Sequence, residues 1–552
     1  MSNTSVDTQG ADDEQVLHFP DEYSLGALYI RAVMRDPDVY WEPYGPARGK
    51  VSVPASKELQ LVCHCNTSTS NALEQVAQKS LEVAVLHLLQ PNAAQIALFA
   101  DRLASVRHLE LWRCTEIHKS LLEIANFQDL ISLQVAETLL DDGGLTRLVA
   151  LSSLTHLCLQ TCELTDTTLS VLKKFSQLQS LDVSANRLSG SFLNIVREML
   201  FLTQLNLRNN DISDDALMSL RNNKTITNLG LAGTSLHGEG LRHVATMHAV
   251  HELDLSFTQI EDMHLQSLLS LPHLTTLNVS YSTLGDRGLE ILSRATSLRR
   301  LNIAHCRVTD VGLRGIGNLQ ALEELVLESL DITDEGLHSL RNVKTLQSLD
   351  LRCKGISGAG LVWLEHNFEI RRLNLADTMV TDDDLVHIQA LIELEELDLS
   401  SCDIAGSGLR HLHKWSSLKT LSIANTNLND TNIAFLEPLT QLRSIDLSET
   451  SVTDSGVARL SSLSELQDLQ LAFIALTDDG LRTVAAFRKL RSLALLGTDI
   501  TDASVSVLDS LNTLRLLLLT GTKVTANGII KLKQALPRCE ISYVESPNRD
   551  LS

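Results

Sequence analysis

Shifted by twenty-four residues, this chain falls onto itself. The stretch SVTDSGVARLSSLSELQDLQL (451–471) is preceded at that distance by NLNDTNIAFLEPLTQLRSIDL and followed by ALTDDGLRTVAAFRKLRSLAL. A unit opening with LxxLxL starts at Val106 and returns at each twenty-fourth residue up to Leu514, eighteen units with no insertion. Two less regular units precede them, with strands expected at ELQLVC (58–63) and VAVLHL (83–88), and a half unit, RCEISY (538–543), follows. A fixed period of this length means one supersecondary element stacked on copies of itself. The 552 residues therefore do not divide into the several domains that length alone suggests.

Each unit changes period at its middle. LxxLxL alternates as a short strand does, and the residues after xITDxGL carry apolar side chains three or four apart, as a helix does when one face turns inward. In the unit from Leu322 the inward set is Leu322, Leu325, Leu327, Ile332, Leu337, Leu340 and Val343. One strand and one helix cannot cover seven such side chains, whereas stacked copies can, through parallel strand pairing with helices behind. The thirteenth position is Asp in twelve units, from Asp142 to Asp502, and Gly at Gly190, Gly238, Gly358 and Gly406. This Asp, or the Thr before it, is expected to cap the first helical turn. The ninth position holds Thr, Cys (Cys114, Cys162, Cys306, Cys402), Asn or Ser, expected to hydrogen-bond the neighbouring coil's backbone. Leu330, Lys354 and Ile474 break that ladder.

Apolar residues are 44% and aromatics only 4%, which suits an aliphatic core, and the formal charge is −22. That charge disfavours nucleic acid, whose binding rests on Lys and Arg neutralising phosphates, and anionic lipid. It favours a protein partner with a basic segment. Twelve helix-start aspartates account for much of the acidity, however. The N-terminus MSNTSVDTQGADDEQ lacks a basic and an apolar segment of the secretory kind, and no run is long enough to span a membrane. Nine cysteines form an odd number without a CxxC pair. A cytoplasmic, non-secreted chain with reduced thiols is expected.

The pattern LxxLxLxx(T/C/N)x(I/L/V)TDxGLxxL resembles the leucine-rich-repeat superfamily, and within it the ribonuclease-inhibitor-like and cysteine-containing classes found in F-box receptors. The resemblance spans about residues 58–543. It implies an α/β leucine-rich-repeat solenoid, a horseshoe with a parallel β-sheet on the concave face and helices on the convex face. It also implies recognition of other proteins. Residues 1–57 are then an N-terminal cap or docking arm, 58–543 the solenoid of about twenty repeats, and 544–552 a C-terminal tail.

No inserted loop is available to carry an active site, so function is expected on the strand face. Its outward positions are the third, fifth, seventh and eighth of each unit. Over the eighteen units these carry fourteen acids, the five arginines Arg113, Arg208, Arg300, Arg352 and Arg372, and no lysine. Arginines and large aromatics concentrate binding energy at interfaces. The candidate partner-binding residues are accordingly Trp112, Arg208, Phe257, Tyr281, Arg300, Arg352, Arg372 and Phe473. Leu496, Leu516 and Leu518 also fall at outward positions, with the tail YVESPNRDLS available to shield them. No cofactor, metal or catalytic residue is assigned. CHC (63–65) lies on a strand without a second ligand pair, His411 and His413 do not share a helix face, and no phosphate loop or nucleophile motif occurs.

Residues 1–57 differ in kind. Tyr23, Tyr29, Tyr40, Tyr44, Trp41 and five of ten prolines lie between 20 and 54, and the prolines keep RDPDVYWEPYGPARGK from being a helix. Covering the open core of the first coil is one role for this segment; docking a second partner is another. FPDE (19–22), followed by Leu25, Leu28 and Ile30, and LVC at 61–63 resemble the ends of an F-box, so a ubiquitin-ligase substrate receptor is the alternative function. A rigid structural component of a large assembly is a third.

Overall fold

The computed structural model describes residues 14–544, apart from 21–23, 33–40, 49, 55, 56, 77, 79, 80, 116, 128, 141 and 152. Two compact units compose the chain, Met1–Asn210 and Asp211–Ser552.

In the first unit, strands β1 (Glu14–His18), β2 (Ala27–Ala32), β3 (Glu42–Pro46), β4 (Lys50–Pro54) and β5 (Lys57–His64) come before the regular repeats. Strand β2 runs antiparallel to β5 on one side and to β3 on the other, and β1 pairs with β4. The unpaired edge that β5 would present is therefore filled by the N-terminal segment. Leu25, Leu28 and Ile30 are buried there, and the Arg31 guanidinium lies 4.4 Å from the Trp41 ring centre while its Nη2 is 2.9 Å from Glu58. Tyr23, Tyr40 and the second half of FPDE lie outside the described residues. From β5 the sheet is parallel, through Val85–Leu89, His108–Trp112, Ser132–Ala136, His156–Gln160, Ser180–Asp182 and Gln204–Asn206.

In the second unit the parallel strands are three residues long and registered at the repeat spacing, Leu253 beside Leu277, Leu277 beside Leu301, Leu301 beside Leu325. The series ends with Leu516–Leu518 against Glu540–Ser542. All seven inward residues of the coil from Leu322 are at most 1% exposed. The return path behind the sheet is less helical than the apolar spacing predicts. Asp214–Leu220 and Asp262–Ser270 are 3₁₀ helices, and Asp310–Leu313 and Asp334–Leu337 are single α turns. A 3₁₀ helix rises about 2.0 Å per residue against about 1.5 Å for an α-helix. It crosses the back of a short coil in fewer residues while still showing one apolar edge inward.

The helix-start aspartates act across coils rather than within them. Thr453 caps its own helix, its hydroxyl accepting from the Ser455 amide. The Asp454 carboxylate points to the next coil instead. One oxygen accepts from the Thr477 amide at 2.8 Å and the other from the Thr477 hydroxyl at 2.6 Å. Asp286, Asp310, Asp430, Asp478 and Asp502 hold Thr309, Thr333, Thr453, Thr501 and Thr525 in the same way, and Asp334 holds Ser357. The glycine of TDxG makes room: a Cβ on Gly480 would lie 2.1 Å from the Asp454 Oδ1. Where Ser504 replaces that glycine, its hydroxyl donates to Asp478. Gly190, Gly238 and Gly406 mark another start, with φ of 96°, 117° and 99°, and their amides donate to Asp166, Asp214 and Asp382. The Asp142 side chain lies outside the described residues.

The ninth-position ladder splits by residue type. Asn186 and the Cys162, Cys306 and Cys402 thiols donate to carbonyls of the preceding coil, as expected. Thr234, Thr258, Thr378 and Thr426 donate instead within their own coil, to the carbonyl three residues back. Thr138 reaches the preceding coil as an acceptor, from the Cys114 amide at 3.0 Å. Leu330 and Ile474 drop into the core at 6% and 4% exposure, apolar substitutes for a polar rung. At Lys354 the backbone shifts, so that Cys353 turns inward and its thiol donates to Leu327 O at 2.9 Å. None of the three ladder breaks creates a site.

Two predictions follow from the clip between coils. Asp454→Ala leaves the Thr477 amide and hydroxyl without their acceptor and is expected to cost about 1–3 kcal/mol, read as a lower denaturation midpoint; no change would contradict the clip. Burial alone would raise Asp166 and Asp478, but hydrogen bonds from Phe192 and Ser189, and from Ser504 and Thr501, outweigh it and hold both below the ordinary value. Asp502 is lowered by the Thr525 hydroxyl and amide. Carboxyls lowered on folding contribute stability that is present above their unfolded value of about 3.9 and is lost as pH falls through the folded values. The melting temperature should therefore drop below about pH 4, and Asp478→Asn should make that drop shallower.

Candidate functional site

At the C-terminal end of each strand the chain must turn outward, and the turn is made by two devices. A fifth-position carboxylate or amide accepts from the backbone two residues on. Asp254 Oδ1 takes the Ser256 amide at 3.0 Å, Asp398 Oδ1 the Ser400 amide at 2.9 Å, and Asp446 Oδ1 the Ser448 amide at 2.9 Å. The eighth residue then enters the left-handed region in every coil except the one where Cys353 stands. Gly233, Gly497 and Gly521 suit that conformation, whereas Phe257, Tyr281, His305 and Phe473 adopt it at a cost.

Several strand-face acids are therefore part of the turn, and others are paired internally. Arg113 meets Glu137 at 2.6 Å, Arg300 meets Glu252 at 3.1 Å, and Arg352 bridges Asp350 and Glu328 at 2.7 and 2.8 Å. The Asp350 hydrogen bonds, outweighing burial, raise the Arg352 guanidinium above its usual value. Arg372 donates to Ser348 at 3.3 Å, and Arg208 is exposed, its amide donating to Asn206. Arg300 and Arg352 thus neutralise neighbouring carboxylates instead of standing out as separate anchors.

In the second unit the face sinks into a hollow of about 340 Å³ lined by Glu324, Asp350, Arg372, Asn374, Glu396 and Asp398. Four carboxylates against one guanidinium in its wall, with Arg352 drawing charge from Asp350, leave the hollow electronegative.

The aromatic candidates have different fates. Trp112 is half buried, its ring parallel to His87 at 5.9 Å, and His87 Nδ1 lies 2.8 Å from Glu110. The Trp112 Nε1 and His87 Nε2 are buried without a hydrogen-bond partner among the described residues. Phe257 and Tyr281 are exposed and stacked, and His305 extends the stack. That third ring escaped sequence reasoning, although it lies twenty-four residues beyond Tyr281 at the same position. Phe473, 60% exposed, lies over Gly497, where an added Cβ would come within 2.4 Å of its ring. Leu496, Leu516 and Leu518 are half-buried, and residues 545–552 of the tail lie outside the described residues.

The nine cysteines are free thiols. Among the described residues no group of three His, Cys, Asp or Glu is arranged to hold a metal, and no helix is long and apolar enough to cross a membrane. Burial pushes the Cys65, Cys158 and Cys162 thiols up to about 12.

Residues 199–220, 270–293, 294–317 and 393–412 match a family model described as a leucine-rich repeat. No curated protein matches the chain. Among solved structures it is similar to TLR13 in its complex with ssRNA13, 17% identical over 88% of this chain and 84% of that one, with a TM-score of 0.53. It is also similar to a leucine-rich-repeat protein of Leptospira interrogans, 21% identical over 71% and 96% of the two chains, TM-score 0.49. Mouse RP105 in complex with MD-1 is 17% identical over 87% and 94%, TM-score 0.49. At these identities the likeness is one of fold.

A thiol raised this far holds little thiolate near neutrality and reacts slowly. Alkylation by iodoacetamide at pH 8, followed by intact mass, should be at least tenfold slower in the folded chain than in denaturant. Fast native labelling of Cys158 or Cys162 would contradict the burial described.

Proposed function

We propose, from the premise that this chain is a leucine-rich-repeat solenoid, that it is a non-catalytic scaffold whose strand face holds a basic segment of a partner protein. The observation that carries this reading is the electronegative hollow, in which Glu324, Glu396 and Asp398 surround Arg372. Among the described residues neither Glu324 nor Glu396 has an ion pair, while most other strand-face acids are spent on turns or on arginines. Carboxylates left open on a surface attract Lys and Arg, steer their approach and repel phosphate. Most strand-face carboxylates are held by backbone amides and guanidiniums, an arrangement that fixes their charge in place. TLR13 is seen with single-stranded RNA; the acidic face here argues for a protein ligand instead.

The N-terminal segment fits the same reading as a cap, because β2 pairs along β5 and buries Leu25 and Leu28. Residues 1–57 then serve the solenoid by closing its first coil, and the domain division proposed is cap, solenoid and tail. A cytoplasmic location fits the unpaired thiols.

Fluorescence anisotropy of the full chain with labelled nona-lysine, nona-arginine and a uridine decamer tests the proposal. The two peptides should bind, more weakly as salt rises, and the decamer should not. Glu324→Gln with Glu396→Gln should weaken both peptides about five- to tenfold, since each lost exposed charge pair is worth about 0.2–1 kcal/mol. Equal binding of the decamer, or peptides indifferent to the two substitutions, would overturn it.

A further inference from the structure

The coil from Ile226 is bare where the coil after it is not. Gly230 and Gly233 fill its fifth and eighth positions, and the seventh, Ala232, offers only a buried methyl. Strand register places Gly230 beside Asp254 and Asn228 beside Glu252. One coil on, at the position equivalent to Gly233, stands Phe257. Its ring is covered on one side by Tyr281, centroids 4.4 Å apart and planes 8° from parallel, and Tyr281 in turn by His305 at 4.0 Å and 17°. On the other side the equivalent position has no side chain to cover it.

Stability does not explain these rings. Phe257 is 55% exposed and Tyr281 47%. The backbones at Phe257, Tyr281 and His305 have φ of 56°, 54° and 55°, a conformation that disfavours bulky residues and that glycine takes freely in three other coils. The positive φ is shared by the turn of nearly every coil; what sets this row apart is three stacked rings, two of them exposed, that the turn does not require. The floor beside it is acidic and ordered. Asp254 is fixed by the Ser256 amide and hydroxyl at 3.0 and 2.7 Å, and Glu252 by Asn228 at 2.5 Å and Arg300 at 3.1 Å.

We propose that this one-coil notch receives the guanidinium of an arginine from a partner protein, stacked on the open face of Phe257 and drawn there by the Asp254 carboxylate, whose charge the neutral Ser256 donors leave in place. The inference rests on the reading that a basic segment occupies the strand face, and adds which side chain is read and where. A guanidinium is planar, stacks on aromatic faces and carries five donors in its plane; an ammonium has no flat face and is more strongly hydrated. The stack behind Phe257 holds the ring against rotation, and at its far end His305 Nε2 lies 3.7 Å from Glu328, itself bound by Arg352. Tyr281 and His305 are therefore positioning residues, and Phe257 is the contact. A nucleobase has the flatness but brings phosphate to the carboxylates.

The test compares labelled nona-arginine, nona-lysine and a uridine decamer on the full chain and on Phe257→Gly, with circular dichroism as the check of folding. Glycine suits the positive φ, so this variant keeps the coil. Wild type should bind nona-arginine about fivefold tighter than nona-lysine, as a cation–π contact supplies, and Phe257→Gly should abolish that preference while nona-lysine binding stays unchanged. Equal affinities for the two peptides in wild type, or a preference that survives in Phe257→Gly, would overturn the notch. If both peptides still weaken in Glu324→Gln with Glu396→Gln, the wider reading stands without it. Failure of both peptides to bind sinks both proposals, and decamer binding lost in Phe257→Gly reassigns the notch to a nucleobase and refutes the arginine.

Discussion

A carboxylate passed from one coil to the next is the contact on which this architecture depends. Hydrophobic burial draws the coils together but does not fix their register, because leucine packs on leucine at many offsets. The aspartate at the start of one helix accepts the amide and hydroxyl that begin the next, as Asp454 does for Thr477. The hydrogen bonds fix the axial register, and the helix-start amides find an acceptor that water would otherwise supply. TDxG is thus one device in three parts: a threonine that caps its own turn, an aspartate that holds the following one, and a glycine that admits the aspartate from behind.

Much of this was legible in the spacing. The leucines at twenty-four-residue intervals gave the strand register, and the seven inward residues of the coil from Leu322 are the ones that are buried. The direction of the aspartates was not legible, since a helix-start Asp in a single coil reads as a cap for that coil. Only the neighbour's Thr and the crowded Gly480 reveal the other use. The 3₁₀ return paths were hidden as well, because apolar residues three apart satisfy both helix types. On the strand face, Trp112, Arg300 and Arg352 looked like anchors, but their partners His87, Glu252, Glu328 and Asp350 sit within two coils of them on the same face. Reading down a column finds the Glu328–Arg352 and Glu252–Arg300 pairs, which stand at the same position of different coils. His305 is the same lesson in reverse.

Stability and recognition therefore draw on different columns of one repeat. The interior leucines and the clip at the helix start hold the coils, while the third, fifth and eighth positions vary from coil to coil. In the second unit Gly230 and Gly233 stand before an aromatic row, and Glu324 and Glu396 border an acidic hollow. A face with fixed charge and exposed, stacked rings is suited to holding another chain.

This separation of columns is tested most directly by a substitution scan of the full chain read out as folded abundance. The account predicts that Asp310, Asp454, Gly456 and Gly480 tolerate replacement almost as poorly as the buried leucines, and that Phe257, Tyr281 and Phe473 accept glycine or asparagine with no loss of folded protein. Aromatics as intolerant as the core, or aspartates as permissive as exposed surface, would contradict it.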